Sequence, residues 1–227
     1  KSKNSFAFIK QNDYVIKNEL NKKRLNCKLI KVKIDKFQKI FEKIKNKYFL
    51  TEANRENLLF VLAISEKLQL NKNLMLKSIQ KFQGLKYRQQ IIYKKSNLLI
   101  INDSKSTSFS SSIGILKVYP NIFWLLGGIY KKGDRFDLPK KYCEKIKAFI
   151  FGKNKNFFNN KLKGKIKFEN FNNLENALKK ILFITRKQKS IKKTILFSPS
   201  AASFDSFKNF EDRGFYFNKL VKKYLNG

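Results

Sequence analysis

Residues 98–118 read LLIINDSKSTSFSSSIGILKV, and this one stretch contains the unit from which the rest of the fold follows. Leu98–Ile101 is an unbroken apolar run of the length of a strand buried on both faces. Asn102–Thr107 is polar and rich in turn-forming side chains. Ser108–Val118 brings apolar positions back at helical spacing and stops ahead of Pro120. Strand, polar loop and helix in that order are the repeating step of a parallel α/β sheet, whose ligands settle at the carboxyl ends of the strands. The step recurs downstream. Ile122–Leu126 is a strand running into Gly127-Gly128, and Ala148–Phe151, Lys165–Phe168 and Thr194–Phe197 are further strands. Lys140–Lys145, Leu174–Thr185 and Phe215–Leu225 are helices, and Ile91–Tyr93 is a short strand ahead of the run. The expected fold is α/β, a Rossmann-like domain with a mostly parallel sheet and helices on both faces.

Upstream of Gly84 the pattern differs. Ser5–Lys10 and Lys28–Val32 read as strands around a helix at Tyr14–Lys23. Phe37–Ile44, Glu52–Leu68 and Asn71–Phe82 read as helices. The second places Asn57, Leu58, Val61, Leu62, Ile64 and Leu68 mostly on one face, and Gly84 stops the third. The expected organisation is residues 1–87 as part of one α/β domain and residues 88–227 as another. A strand-like segment follows Lys1 almost at once, without a polar lead-in, and reads as truncation upstream.

Composition narrows the chemistry. The chain has 227 residues, 42% of them hydrophobic, enough for a core, and no apolar run approaches the ~20 residues of a spanning helix. Cys27 and Cys143 lie far apart, so neither a disulfide framework nor a zinc site is indicated, and a reduced, cytoplasmic setting fits. With 51 Lys+Arg against 16 Asp+Glu the net charge is +35. Lysine carries nearly all of it and is scattered rather than gathered into one stripe with aromatics between, as a phosphate-tracking groove requires. Its companions Asn, Ile and Phe share A/T-rich codons, so the charge reads as genome composition, and no specific nucleic-acid partner is expected. Histidine is absent, which excludes a Ser-His-Asp triad, a Cys-His pair and any histidine-ligated metal. Lys, Arg, Asp, Ser, Thr and backbone groups remain, a set suited to phosphoryl and acyl-phosphate chemistry.

Three polar loops follow strands: 102–107 (NDSKST), 127–134 (GGIYKKGD) and 198–214 (SPSAASFDSFKNFEDRG). In the first, Thr107 or Ser108 is placed to cap the next helix. In the second, paired glycines either form a tight turn with exposed lysines or permit close backbone approach to a ligand, with Lys131 a point charge beyond them. The third matches neither a clean helix nor a strand and reads as a shaped loop.

In order and in residues, these loops resemble the signatures of the Mur ligases, in particular those that add D-glutamate to a peptidoglycan precursor. Asn54-Arg55-Glu56-Asn57 resembles that family's HN-x-x-N segment, and Gly84-Leu85-Lys86-Tyr87-Arg88 its GLPHR segment at a domain junction. The chain departs from the pattern at Ala53 for His, Lys86-Tyr87 for Pro-His, Ser108 for Asn and Ser200-Ala201 for Ala-Cys. No DNPR motif of the diaminopimelate- or lysine-adding ligases occurs.

The resemblance implies an ATP-dependent acid–amino-acid ligase. Its substrates would be UDP-N-acetylmuramoyl-L-alanine, ATP and D-glutamate, joined through an acyl phosphate with Mg2+ as cofactor. Asn54 and Asn57 would meet adenine, Asp103 the ribose, and Arg88 and Lys105 the phosphates and the charge developing on them. Thr107, Lys131, Ser203 and the Phe210 backbone would hold D-glutamate. Residues 1–87 would be the remnant of the family's central ATP-binding domain and residues 88–227 its C-terminal, amino-acid-binding domain. No GxxxxGK[ST] phosphate loop occurs in the chain, so the Mg2+ ligands would lie mainly outside it, and the chain alone would be inactive. A cytoplasmic monomer without a membrane partner is expected. The alternatives are a catalytically incomplete basic α/β module that binds polyanions, and another amino-acid ligase of the superfamily, such as a polyglutamate-adding one.

Overall fold

The structure, a computed structural model, describes residues 5–22, 27–187 and 190–225. Lys23, the expected end of the first helix, lies outside them, as does Lys1. The chain divides into two compact units, Lys1–Phe82 and Gln83–Gly227.

The first unit runs β1 (Phe6–Lys10), α1 (Tyr14–Lys22), β2 (Lys28–Val32), α2 (Gln38–Lys43), α3 (Glu52–Lys67) and α4 (Lys72–Lys81). Strands β1 and β2 pair in parallel. Thr51 caps α3 by accepting from the Asn54 amide, and Asn71 caps α4. The core gathers Val32, Phe37, Phe41 and Ile79 around Leu58, Leu59, Leu62 and Ala63 of α3. The expected apolar face of α3 is therefore displaced. Leu58 and Leu62 point inward, whereas Asn57, Val61, Ile64 and Leu68 are exposed. Apolar residues from 58 to 64 wrap most of the way round this helix, so their spacing alone does not choose a side. Helix α4 ends at Lys81, with Phe82 already extended, one residue short of the expected end at Phe82.

The second unit runs β3 (Gln90–Lys95), β4 (Leu98–Asn102), α5 (Phe109–Leu116), β5 (Ile122–Leu126), α6 (Lys140–Cys143), β6 (Ile146–Phe151), α7 (Lys155–Leu162), β7 (Lys167–Phe171), α8 (Leu174–Lys187), β8 (Lys193–Phe197) and α9 (Phe210–Leu225). Its six-stranded sheet has the order β3-β4-β8-β5-β6-β7. Only β3 is antiparallel to its neighbour.

Period-two alternation sorts the strand side chains between two cores. On one face Ile122, Trp124 and Leu126 of β5 pack with Phe109, Ile115 and Leu116 of α5 and Phe158 and Leu162 of α7. On the other, Phe123 and Leu125 pack with Leu178 and Ile181 of α8 and Phe217 and Leu220 of α9. Each such side chain, fully buried, contributes about 1.5–3 kcal/mol, and helices thus cover both faces.

Three differences from the sequence reading stand out. Helix α7 was not expected, and β7 sits about two residues later than expected. The last residues of the third loop are not loop: Phe210–Gly214 form the first turn of α9.

Candidate functional site

Strands β4, β8 and β5 are parallel neighbours, so the loops that leave their carboxyl ends emerge side by side. The sheet alone brings residues 102–107, 127–134 and 198–209 to one edge, and hydrogen bonds then cross-link them pairwise. Between the first and third loops, Ser198 donates to the Asp103 carboxylate at 2.9 Å and the Ser104 hydroxyl donates to the Phe210 carbonyl at 2.8 Å. Between the second and third, Ile129 and Ala202 exchange backbone bonds of 2.9 and 2.8 Å, and the Gly127 amide donates to the Pro199 carbonyl at 3.1 Å. Asp134 of the second loop accepts from the Phe109 amide at 2.6 Å, at the start of the helix that the first loop feeds. Ser108, not Thr107, caps that helix, in a capping box with Ser111.

Asp103 is the hub of a buried polar chain. It is 4% exposed. Its Oδ2 accepts from Ser106 at 2.6 Å and from Ser198, and its Oδ1 accepts from the Gln89 amide at 3.0 Å. From Ser198 the chain continues through Ser112 to Ser200, each step 2.7 Å between hydroxyl oxygens. Three donors fill most of a carboxylate's roughly four acceptor positions. This carboxylate therefore braces the loops, and a ribose hydroxyl would have to compete with donors already in place.

Burial raises the Asp103 pKa from 3.8 to about 6, against the lowering pull of Ser106, Ser198, the Gln89 amide and Arg88. The folded chain accordingly holds this proton more tightly than the unfolded chain. The resulting stability is fully present below about pH 4 and is lost as pH rises through 6, leaving a cost of roughly 3 kcal/mol above it. Asp103→Asn removes this dependence. In urea titrations its stability relative to the parent should rise by up to roughly 3 kcal/mol between pH 4 and pH 7. Parallel curves would show that the carboxylate is not desolvated.

The remaining candidates fall as follows. Arg88 is exposed and held on both sides: the Lys105 amide donates to the Tyr87 carbonyl at 3.0 Å, and Gln89 binds Asp103. The Lys105 ammonium lies 3.9 Å from the Phe210 ring centre, a cation–π contact at the N-terminus of α9. Ser203 is buried in the third loop; Thr107 and Lys131 are exposed in the first and second. The edge thus groups Arg88, Asp103, Lys105, Thr107, Lys131, Ser203 and Phe210 on cross-linked loops of one unit. Asn54 and Asn57 belong to the first unit, where Asn54 is buried and donates to the Tyr48 carbonyl at 2.7 Å, and Asn57 is exposed.

Two features escaped the sequence reading. The close approach that Gly127 and Gly128 permit is to the protein's own backbone: a Cβ would lie 2.2 Å from the Phe151 carbonyl oxygen at Gly127 and 2.3 Å from that of Ala202 at Gly128. The other is Arg213, 1% exposed, whose Nε donates to the Ser104 hydroxyl at 3.1 Å and whose Nη2 donates to the Ser104 and Ala201 carbonyls at 2.8 and 2.9 Å. Its place in a polar-looking run gave no sign of burial. The only available signal was its position three residues beyond Phe210, one helical turn along the same face.

No family model matches the chain. Curated sequences do. The chain is 34% identical to the UDP-N-acetylmuramoylalanine–D-glutamate ligase of a Wolbachia from Brugia malayi, over 75% of its length and 34% of the relative's. To the ligase of the same name from Rickettsia prowazekii it is 38% identical, over 75% of its own length and 38% of the relative's. With that of Francisella tularensis the figures are 35%, 81% and 44%. The chain thus spans between a third and a half of the curated relatives it matches. Among solved structures, the UDP-N-acetylmuramate–alanine ligase of Thermotoga maritima superposes on 78% of this chain and 38% of its own, with a TM-score of 0.53 and 17% identity; that likeness bears on the fold alone. The shared fold and the three ordered loops agree with the sequence matches: over three quarters of its length this chain is similar to part of the UDP-N-acetylmuramoylalanine–D-glutamate ligases.

Proposed function

We propose that this chain forms the amino-acid side of an ATP-dependent ligase that joins D-glutamate to UDP-N-acetylmuramoyl-L-alanine, the reaction named by its relatives. The observation that carries the reading is the cross-linked edge. Thr107, Lys131, Ser203 and the α9 N-terminus at Phe210 are donors or cations presented together, as a dicarboxylic amino acid requires. Lys105 and Arg88 stand beside them for the phosphate charge of an acyl phosphate, so that the amine of D-glutamate meets its target within one cluster. In this reading Asp103 serves the nucleotide side by fixing Gln89, and with it Arg88. Residues 1–87 would be the remnant of an ATP-binding domain, with Asn54 and Asn57 as its adenine contacts.

ATP would supply the leaving phosphate. The Mg2+ ligands would lie mainly outside this chain. No helix of the described residues is long and apolar enough to cross a membrane.

Titration of the 15N-labelled chain tests the reading. D-Glutamate should shift the amides of Thr107, Lys131, Ser203 and Phe210 and leave the interior of β5 and β8 unmoved. A chain that gives no shifts, or the same shifts with D-alanine, lacks a dicarboxylate site.

A further inference from the structure

Arg213 has no part in the reading above, yet it is the most enclosed cation among the described residues. It sits on α9, and each acceptor of its hydrogen bonds is neutral: a serine hydroxyl and the carbonyls of Ser104 and Ala201. No carboxylate comes within ion-pair distance of it among the described residues. Asp205 acts on it only at longer range. Its Nη1 is buried without any hydrogen-bond partner and lies 3.2 Å from where a Cβ of Gly128 would stand. The guanidinium therefore bonds the first and third loops, at Ser104 and Ala201, and faces the side of Gly128 where a side chain would stand.

An uncompensated buried cation is unfavourable unless the surroundings use it. Burial duly lowers the Arg213 pKa to about 10, Asp205 pulling the other way, which leaves the side chain charged at neutral pH. Neutral acceptors alone do not require a charge, since an uncharged donor would satisfy them without the desolvation cost. What a charge adds is attraction for an anion, and the loops it fastens are those that present Thr107, Lys131, Ser203 and Phe210.

We propose that Arg213 is a positioning residue of the amino-acid site, whose planar fork holds the first and third loops in register beneath Gly128 and whose unpaired charge draws a carboxylate ligand to that edge. The second half of this statement rests on the D-glutamate reading; the first half does not.

Two substitutions separate fork from charge. Arg213→Lys keeps the charge and loses the planar fork; Arg213→Met keeps the length and loses both. Hydrogen exchange on the full chain should quicken about tenfold or more at Lys105, Ile129 and Ala202 in both variants, while Trp124 and Ile195 keep the parent's protection. D-Glutamate affinity, measured by calorimetry, should fall about tenfold or more in Arg213→Met and stay within about threefold in Arg213→Lys. Loop amides that exchange at the parent's rate, or loops and strands that quicken together, would overturn the positioning role and leave Arg213 an ordinary core residue. Equal D-glutamate affinity in parent and Arg213→Met would overturn the role of the charge. If Arg213→Met does not fold, Arg213→Lys and Ser104→Ala, which removes the Nε acceptor, still decide the exchange result. A parent chain that ignores D-glutamate would sink the ligase reading, while exchange would still decide whether Arg213 holds the loops.

Discussion

Gly127→Ala and Gly128→Ala should each destabilise the second unit by roughly 2–6 kcal/mol, the largest effect expected of any single methyl added to this chain. Gly127 and Gly128 sit at φ of 153° and 131°. A side chain in that region costs about 1–3 kcal/mol, and pressing it into a neighbouring carbonyl costs about 1–3 more. At Gly127 the obstacle is the Phe151 backbone at the end of β6; at Gly128 it is the Ala202 carbonyl that bonds Ile129. Neither backbone can withdraw without breaking sheet or bridge. Melting temperature should fall by about 5–20 °C for a unit of this size. Gly133→Ala provides the comparison, since Gly133 has φ of 80° but nothing within 4 Å of its would-be Cβ, so it should lose only the strain. Gly114, inside α5 with open space around it, should gain about 0.5–1 kcal/mol as alanine. Should Gly127→Ala and Gly133→Ala melt together, the steric account is wrong.

Lys131→Ala should raise the D-glutamate dissociation constant about ten- to a hundredfold. A charge-assisted bond to a carboxylate is worth about 1.5–3 kcal/mol. Lys131 has no ion pair among the described residues, so no carboxylate of the protein competes for it. The Ile129–Ala202 bridge two residues earlier, and the turn in which the Asp134 amide donates to the Lys131 carbonyl at 3.1 Å, limit where its backbone can go. Lys132 is adjacent, equally charged and also exposed, so Lys132→Ala should bind D-glutamate as the parent does. Calorimetric titration of the three chains decides the matter, and matched losses at 131 and 132 would reduce the effect to net charge.

The sheet was legible because strands buried on both faces announce themselves. Ile122–Leu126 is a continuous apolar run, buried throughout, and its bounds coincide with those expected, while Leu98–Asn102 runs one residue past the expected end at Ile101. Helix α7 hid because its sequence KNFFNNKL is poor in strong helix formers and buries only Phe158 and Leu162, too narrow a stripe for periodicity to register. The start of α9 hid behind Gly214, which in sequence looks like a helix breaker. In the structure it is the one residue that fits: a Cβ there would lie 2.4 Å from the Tyr87 ring. The loops were recognisable as chemistry from residue type, but the work of each side chain was not. Nothing in NDSKST distinguishes Asp103, turned inward onto Gln89 and two serines, from Lys105, which stays partly exposed over Phe210.

The strand at the middle of the sheet is the last one the chain delivers. On a ribosome, β4, which ends at Asn102, and β5, which ends at Leu126, emerge well before β8, which starts at Lys193, and they cannot hydrogen-bond each other in the final sheet, because the place between them is reserved. Until Lys193–Phe197 clears the exit tunnel, two mostly apolar edges wait unpaired, the condition under which nascent chains pair with the wrong neighbour. Ser198 follows β8 at once, so the same late event that closes the sheet also delivers the hydroxyl that Asp103 accepts from. Pairing of β8 thus closes the sheet late, through contacts distant in sequence, and until it happens the sheet stays open between β4 and β5.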